Sequence, residues 1–301
     1  MLGPTASGKS AVALELAEQF GAEILSVDSM QVYRGMNIGT AKASAEDQLR
    51  VRHHLIDLIE PSESFSVAAF QSEGRRALAD LEARETPALL VGGSGLHFRS
   101  LVDPMEFPAA DAAVREELDA LDPLEARRRL LDADPEAASV VDLANLRRVI
   151  RALEVLTLAG LTPSQRYMSA AATALREYRS LVPVRSIGLD PGPQIAGLVE
   201  RRVDAMLEYG LISEVEQLAD RLGPTAGQAV GYKQLLQVVR GEVPLADGRA
   251  ATIAATLALA KRQRTYFRRD PRVRWLPWSA DADERVAMAR RYLEEAAAWT
   301  S

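Results

Sequence analysis

The sequence predicts an α/β protein: a P-loop doubly wound parallel sheet carrying an inserted all-helical domain. Three observations predict it. A glycine-rich stretch, Gly3-Pro4-Thr5-Ala6-Ser7-Gly8-Lys9-Ser10, stands at the front. Short apolar runs then alternate with amphipathic helical stretches, the pattern of parallel strands joined by crossovers. From Ala109 to about Ala174 the alternation stops, and Ala, Leu, Arg, Asp and Glu dominate without a clear strand.

The first stretch fits the pattern G-x-x-x-x-G-K-[ST]. Its glycines let backbone N–H groups close around phosphate oxygens, Lys9 adds a point charge, and the Ser10 hydroxyl reaches a Mg²⁺ ion. A helix is expected from Ala11 to Phe20, apolar at Val12, Leu14, Leu16 and Ala17. Its positive end would face the same anion. The ligand expected is a di- or triphosphate. Such a loop normally follows a buried strand. Only Met1 and Leu2 precede it, so an upstream start is expected.

Glu23-Ile24-Leu25-Ser26-Val27 reads as a buried strand ending at Asp28-Ser29. Ser66 to Ala83 reads as a helix with Val67, Phe70, Leu78 and Leu81 on one face. Ala88-Leu89-Leu90-Val91 is a second strand, stopping at Gly92-Gly93-Ser94-Gly95. Ligands of such sheets sit at the carboxyl ends of the strands, so Asp28, Ser94 and the phosphate loop should share one crevice. The following helices should break near Asp122-Pro123 and Asp134-Pro135. The run from Val182 to Leu189 returns to the sheet. Helices at about 194–222 and 249–269, a strand at Val273–Leu276 and a last helix from about Ala282 to Trp299 complete the chain. The division expected is a core of 1–108 and 175–301 around an insertion of 109–174.

The 301 residues are 48% hydrophobic and 26% charged, as in soluble globular proteins. With no cysteine there is neither a disulfide nor a thiolate metal site, which fits a reducing cytoplasm. No apolar run approaches a membrane span, and no signal peptide precedes the loop. A cytoplasmic monomer is expected. The net charge of −6 argues mildly against a nucleic-acid partner. Local clustering argues the other way. Lys261-Arg262-Gln263-Arg264-Thr265-Tyr266-Phe267-Arg268-Arg269, with Arg272 and Arg274, contains one acid, Asp270, and interleaves aromatic residues as single-stranded nucleic acid binding would want. Arg147-Arg148-Val149-Ile150-Arg151 forms a second basic cluster within the insertion.

Asp28, a carboxylate at a strand end facing a phosphate site, suits a general base or a holder of metal-bound water. Phosphate-loop NTPases usually end an apolar strand with an Asp for Mg²⁺. Here that strand ends in Gly92-Gly93-Ser94, and Leu55-Ile56-Asp57 reads as a surface turn. A diphosphate used as leaving group needs less hydrolytic machinery, and Ser94 would bring a hydroxyl to the reaction centre. Adjacent His53-His54 lack metal-ligand spacing and read as structural.

The chain resembles the tRNA dimethylallyltransferase (tRNA isopentenyltransferase) family nearly end to end. The marks are the phosphate loop, Ser26-Val27-Asp28-Ser29-Met30-Gln31-Val32-Tyr33, Met36-Asn37-Ile38-Gly39-Thr40-Ala41-Lys42 and His54-Leu55-Ile56-Asp57. Val91-Gly92-Gly93-Ser94-Gly95-Leu96, Arg151-Ala152-Leu153-Glu154-Val155, Val230-Gly231-Tyr232-Lys233-Gln234 and Ala260-Lys261-Arg262-Gln263 follow in order. The resemblance implies transfer of a dimethylallyl group from dimethylallyl diphosphate to N6 of the adenine just 3′ of the anticodon. It makes Asp28 the catalytic base, with Ser94 standing where many members have threonine and Lys9 assisting the diphosphate. It assigns tRNA contacts to Asp28, Ser29, Met30 and Gln31, to Ser94, to Arg115, and to Arg147 through Arg151. It assigns others to Gln228, Ala229, Val230, Gly231, Tyr232 and Lys233, and to Lys261 through Arg268. His97 replaces a commoner tyrosine, a change expected to matter little. Two rivals are an ATP-dependent small-molecule kinase, which leaves the late basic run unexplained, and a non-catalytic RNA-binding switch, in which Asp28 would be dispensable.

Overall fold

A computed structural model describes residues 1–297. Five short strands carry the sheets: β1 (Glu23–Ser26), β2 (His53–His54), β3 (Ala88–Val91), β4 (Ser186–Leu189) and β5 (Val273–Leu276). One sheet has the order β2-β1-β3, the other pairs β4 with β5, and every pairing is parallel. The register sets Ile24 opposite both His53 and Leu89, and Ser186 opposite Val273. Leu2 links the sheets. It bridges Gly92 on one side and Gly188 on the other, donating its N–H to the Ile187 carbonyl at 2.8 Å and accepting from Leu189 at 3.0 Å. Leu2 thus occupies the strand position that a phosphate loop requires.

The first helix, Lys9–Phe20, starts two residues earlier than the apolar pattern indicates, because Gly8 caps it. Gly8 has φ 82°, a left-handed conformation that costs glycine little. Val12, Ala13, Leu16 and Ala17 of this helix pack with Ile24, Val91, Ile187, Leu189 and Ala289, the last from the closing helix Ala282–Ala297. The expected positions 298 and 299 of that helix lie outside the described residues. Ser66 caps the helix Val67–Ala83 by accepting the Ala69 N–H at 3.1 Å, and Phe70 and Leu81 are buried. The helical stretch expected at about 194–222 holds Ile195–Glu208 and Leu211–Leu218, separated at Gly210 in the left-handed conformation. A further helix, Tyr232–Val239, precedes the long one at Leu245–Phe267.

The chain divides into two compact units, one of Met1–Leu101 with the residues from Val184 onward, the other of Val102–Pro183. The second is helical throughout its regular structure among the described residues. It comprises Ala112–Asp119, Pro123–Ala133, Ala137–Val140, Leu146–Ala159, Pro163–Tyr167 and Ala170–Arg176. Asp111, Asp122 and Asn145 cap helices there through their side chains, which explains the breaks at polar residues. Its core contains Leu118, Leu130, Val149, Ile150 and Leu153. The unit is wider than 109–174 because its two ends are stitched together: the Leu181 N–H donates to the Val102 carbonyl at 2.7 Å.

Candidate active site

A cavity of about 580 Å³ lies within the first unit. Thr5, Lys9 and Ser10 of the phosphate loop line it, together with Asp28, Gln31, Arg202 and Gln263. Val203, Met206, Leu211 and Leu259 give it an apolar portion. The loop is fastened from several directions. Lys9 Nζ donates to the Pro4 carbonyl at 3.2 Å, Gln263 Oε1 accepts the Thr5 N–H at 2.8 Å, and Trp278 Nε1 donates to the Ser7 carbonyl at 2.9 Å. Ser10, the first residue after the loop lysine, is exposed. The Ser7 hydroxyl is buried and has no hydrogen-bond partner among the described residues.

Three charges meet in this cavity. Burial, and after it the nearby Arg202, lower Lys9 to about 8, with Asp28 opposing. Arg202 is also held below its ordinary value by burial, again opposed by Asp28. Two desolvated cations beside one carboxylate give a charge pattern that suits an anion. Asp28 follows β1, and its Oδ1 accepts the Met30 N–H at 2.8 Å, a turn that fixes the carboxylate. Gln31 is fixed more firmly. Its amide donates to the Thr40 and Ala41 carbonyls at 3.1 and 3.2 Å and accepts from the Ser26 hydroxyl at 2.7 Å.

Ser94 does not itself line the cavity but stands two residues after Gly92, which does. Its N–H donates to the Val27 carbonyl at 3.1 Å, which sets it beside the residue preceding Asp28. Its Oγ lies 2.7 Å from His97 Nδ1. His97, expected to matter little, therefore touches a hydroxyl that the sequence marks for the reaction centre. Burial lowers its pKa, with Asp28 opposing.

The basic helix separates into two sides at helical spacing. Lys261, Arg262, Thr265, Tyr266, Arg268 and Arg269 are exposed. The expectation that both aromatic residues present stacking faces is corrected, because Phe267 is fully buried. Tyr266 is 38% exposed, with its ring against Gly95, where an added Cβ would come within 2.0 Å. Only glycine admits that approach. Arg264 and Arg268 both pair with Asp190, at 2.7 and 3.3 Å. Gln228 and Lys233 are exposed, and Val230 and Gly231 line the cavity with Ala229. The Tyr232 side chain is core, with its hydroxyl donating to Glu214 at 2.5 Å.

In the helical unit, Arg147 and Arg148 are exposed and Arg151 is partly so, whereas the Val149 and Ile150 side chains are buried in its core. Arg115 and Arg151 share the buried Glu154, at 3.3 and 2.7 Å. Arg147, Arg148, Arg151 and Arg166 line a cavity of about 560 Å³ within this unit.

His53 and His54 are structural: His54 Nε2 lies 2.6 Å from Glu23, and His53 Nδ1 lies 2.8 Å from the Val51 carbonyl. Asp57 is taken by Lys42 at 2.6 Å. No group of three or more His, Asp or Glu side chains suited to a metal ion occurs among the described residues.

Two residues escape sequence reasoning. Arg202 follows Val199 on the helix Ile195–Glu208 and reads as an ordinary surface cation beside it. Glu214 is buried and accepts the N–H groups of Asn37, Ile38 and Gly39 at 3.0, 2.8 and 3.0 Å. It thereby holds the segment whose Thr40 and Ala41 carbonyls fix Gln31. Its signal was a lone acid among Leu211, Val215 and Leu218, all on one buried face.

Comparison with known proteins gives a consistent result. The chain is 43% identical to a tRNA dimethylallyltransferase of Bifidobacterium adolescentis over 92% of its length and 83% of that protein. It is 41% identical to one of Streptomyces coelicolor, over 98% and 95% of the two chains. The crystal structure of the full-length tRNA isopentenylpyrophosphate transferase of Bacillus halodurans matches with a TM-score of 0.71 and 35% identity, covering 98% of this chain and 94% of that one. The model of the IPP transferase family matches residues 31–270. With its phosphate-loop cavity, its strand-end aspartate and these matches, the chain belongs to the IPP transferase family.

Proposed function

We propose that this enzyme transfers a dimethylallyl group from dimethylallyl diphosphate to N6 of the adenine 3′-adjacent to the anticodon in tRNA. The products are N6-(dimethylallyl)adenosine and diphosphate. The observation that carries the reading is the placement of Asp28 on the wall that also holds Lys9 and Arg202. A base, two cations and an apolar wall suit an amine attacking an allylic diphosphate. A kinase would leave the exposed basic helix without a task.

In the reaction the N6–carbon bond forms as the allylic carbon–oxygen bond breaks. The N6 proton passes to an Asp28 carboxylate oxygen, and the electron pair of the broken bond leaves on diphosphate. N6 is a weak nucleophile, so proton removal as the bond forms lowers the barrier. Lys9, Arg202 and the loop N–H groups stabilise charge gathering on the leaving group. The exposed Ser10 hydroxyl, with phosphate oxygens and water, fits Mg²⁺, which binds few protein ligands. When bound, the ion would supply further charge neutralisation.

The adenine must leave its stack to reach Asp28. Loop bases are readable in RNA where duplex bases are not. We assign the anticodon stem-loop to the helical unit, through Arg147 and Arg148, and to the exposed face of Lys261, Arg262 and Arg268. The strands joined through Leu2 act as one P-loop doubly wound sheet carrying the helical unit as an insertion. The working form is a cytoplasmic monomer. No helix among the described residues is long and apolar enough to cross a membrane.

Mass analysis of tRNA incubated with protein, Mg²⁺ and dimethylallyl diphosphate, without ATP, tests the reading. One added prenyl group on one adenosine is expected. Strict dependence on ATP would refute it.

A further inference from the structure

The place of His97 in the structure gives it a task. Ser94 immediately precedes the helix Gly95–Val102, and His97 lies in its first turn. The ring is held by two contacts, and the backbone beneath it by a third. Its Nδ1 is 2.7 Å from Ser94 Oγ. Phe70 meets it edge to face, with centroids 4.5 Å apart and planes at 85°. Its backbone carbonyl accepts the Ser100 hydroxyl at 2.8 Å, and Gln71 secures the Ser100 carbonyl at 2.8 Å. His97 is 8% exposed, so the ring has little freedom to turn.

A serine hydroxyl has one hydrogen and two lone pairs. What it offers a substrate depends on what it has already given away. We propose that His97 is a positioning residue: its neutral ring accepts the Ser94 hydroxyl hydrogen at Nδ1, leaving the Oγ lone pairs for a hydrogen of the substrate amine. The proposal rests on the prenyl-transfer reading for its kinetic consequence, but not for its tautomer. N6 carries two hydrogens. Asp28 receives one as the bond forms, and Ser94 would hold the other, fixing the direction of the nitrogen lone pair. A hydroxyl free to rotate would offer the amine its hydrogen part of the time, which does nothing to orient a donor. Burial favours the neutral ring that this arrangement needs, because a charged imidazolium pays for lost solvation. A phenylalanine here would fill the space and accept nothing.

The tautomer is read directly. The chain contains three histidines, so side-chain ¹⁵N spectra of the labelled protein resolve each ring, with His97→Asn identifying the signal. A bare Nδ1 and a protonated Nε2 on His97 are expected, and the opposite tautomer overturns the proposal. Kinetics give the second test. His97→Phe should lower kcat roughly tenfold, the scale of one well-placed hydrogen bond, with the KM for dimethylallyl diphosphate unchanged. Ser94→Ala should do the same, and the double variant should be no slower than either single one. His97→Asn, whose side chain can place an acceptor near the Nδ1 position, should recover most of the loss. Multiplying defects in the double variant, or a His97→Phe enzyme that melts early with normal kcat, would make the contact a helix cap only. If the wild type fails to prenylate tRNA, the prenyl-transfer reading fails, while the spectra still decide the tautomer.

Discussion

Gln263 and Thr5 are 258 positions apart in sequence, yet the Gln263 side-chain oxygen accepts the Thr5 N–H at 2.8 Å. The helix whose outer face carries Lys261 and Arg262 thus braces the phosphate loop with its inner face. The Gln263 amide also fills the space beside Gly93. Gln263→Ala is expected to raise the KM for the diphosphate donor about fivefold, the scale of one hydrogen bond, with tRNA affinity little changed. Separate titrations of the two substrates check this. An equal loss for both would show that the helix acts only as scaffold.

Asp28→Asn keeps the shape of the side chain and removes its capacity to take a proton. Turnover should fall at least about a hundredfold while tRNA binding is retained. Single-turnover rates measured with saturating donor give the comparison, and near-normal turnover would reduce Asp28 to a turn residue.

The two sides of the basic helix should respond differently. Lys261→Ala with Arg262→Ala should weaken tRNA binding and flatten its salt dependence by about two units of slope, since each lost phosphate contact retains its counterions. Arg264→Ala should act on stability instead. It removes a 2.7 Å partner from Asp190, whose side chain is 8% exposed, at a cost of about 1–3 kcal/mol. Salt-dependent binding isotherms and urea denaturation distinguish the two.

Donor binding should depend on pH through Lys9. Burial places its pKa at about 8, against 10.5 in an ordinary lysine. The charged form binds diphosphate, so donor affinity should be level below that value and fall as pH rises through it. Lys9→Arg should lose the inflection. The linkage to stability has the opposite direction. The unfolded chain binds more protons between about 8 and 10.5, so the Lys9 contribution makes the ligand-free protein more stable as pH rises across that window. A donor affinity unchanged from pH 7 to 9 would contradict the assignment.

Glu214→Ala strands the N–H groups of Asn37, Ile38 and Gly39. A loss of about 3–5 kcal/mol is expected, as when one side of a buried charged network is removed. Thermal unfolding of the variant, with and without tRNA, measures it.

The phosphate loop, Asp28 and the strand positions were legible because each rests on local rules: glycine geometry, a helix start, a short apolar run. The helical stretch between the two parts of the core was legible from composition, but its ends were not. Leu181 meets Val102 through backbone atoms, and backbone pairing leaves no mark on residue type. Arg202 and Glu214 were missed for a related reason. Each works against a segment more than 150 positions away, and a lone charge on a helix looks the same whether it faces water or a cavity. Phe267 shows the reverse error. An aromatic residue among arginines suggests stacking on a base, but helical spacing turns it into the core.

Leu2 has a consequence for the order of assembly. It is synthesised well before its partners, Gly92 and Gly188. Contacts that span so much chain are slow to form, because the loop they close must lose its freedom first. Until β4 has been made, one flank of the phosphate loop has no neighbour. A nascent chain stalled before Ser186 should therefore be unable to retain diphosphate, however well its first hundred residues have folded. Affinity for the donor would arrive late and abruptly during synthesis, a property of connectivity rather than of any residue that touches the ligand.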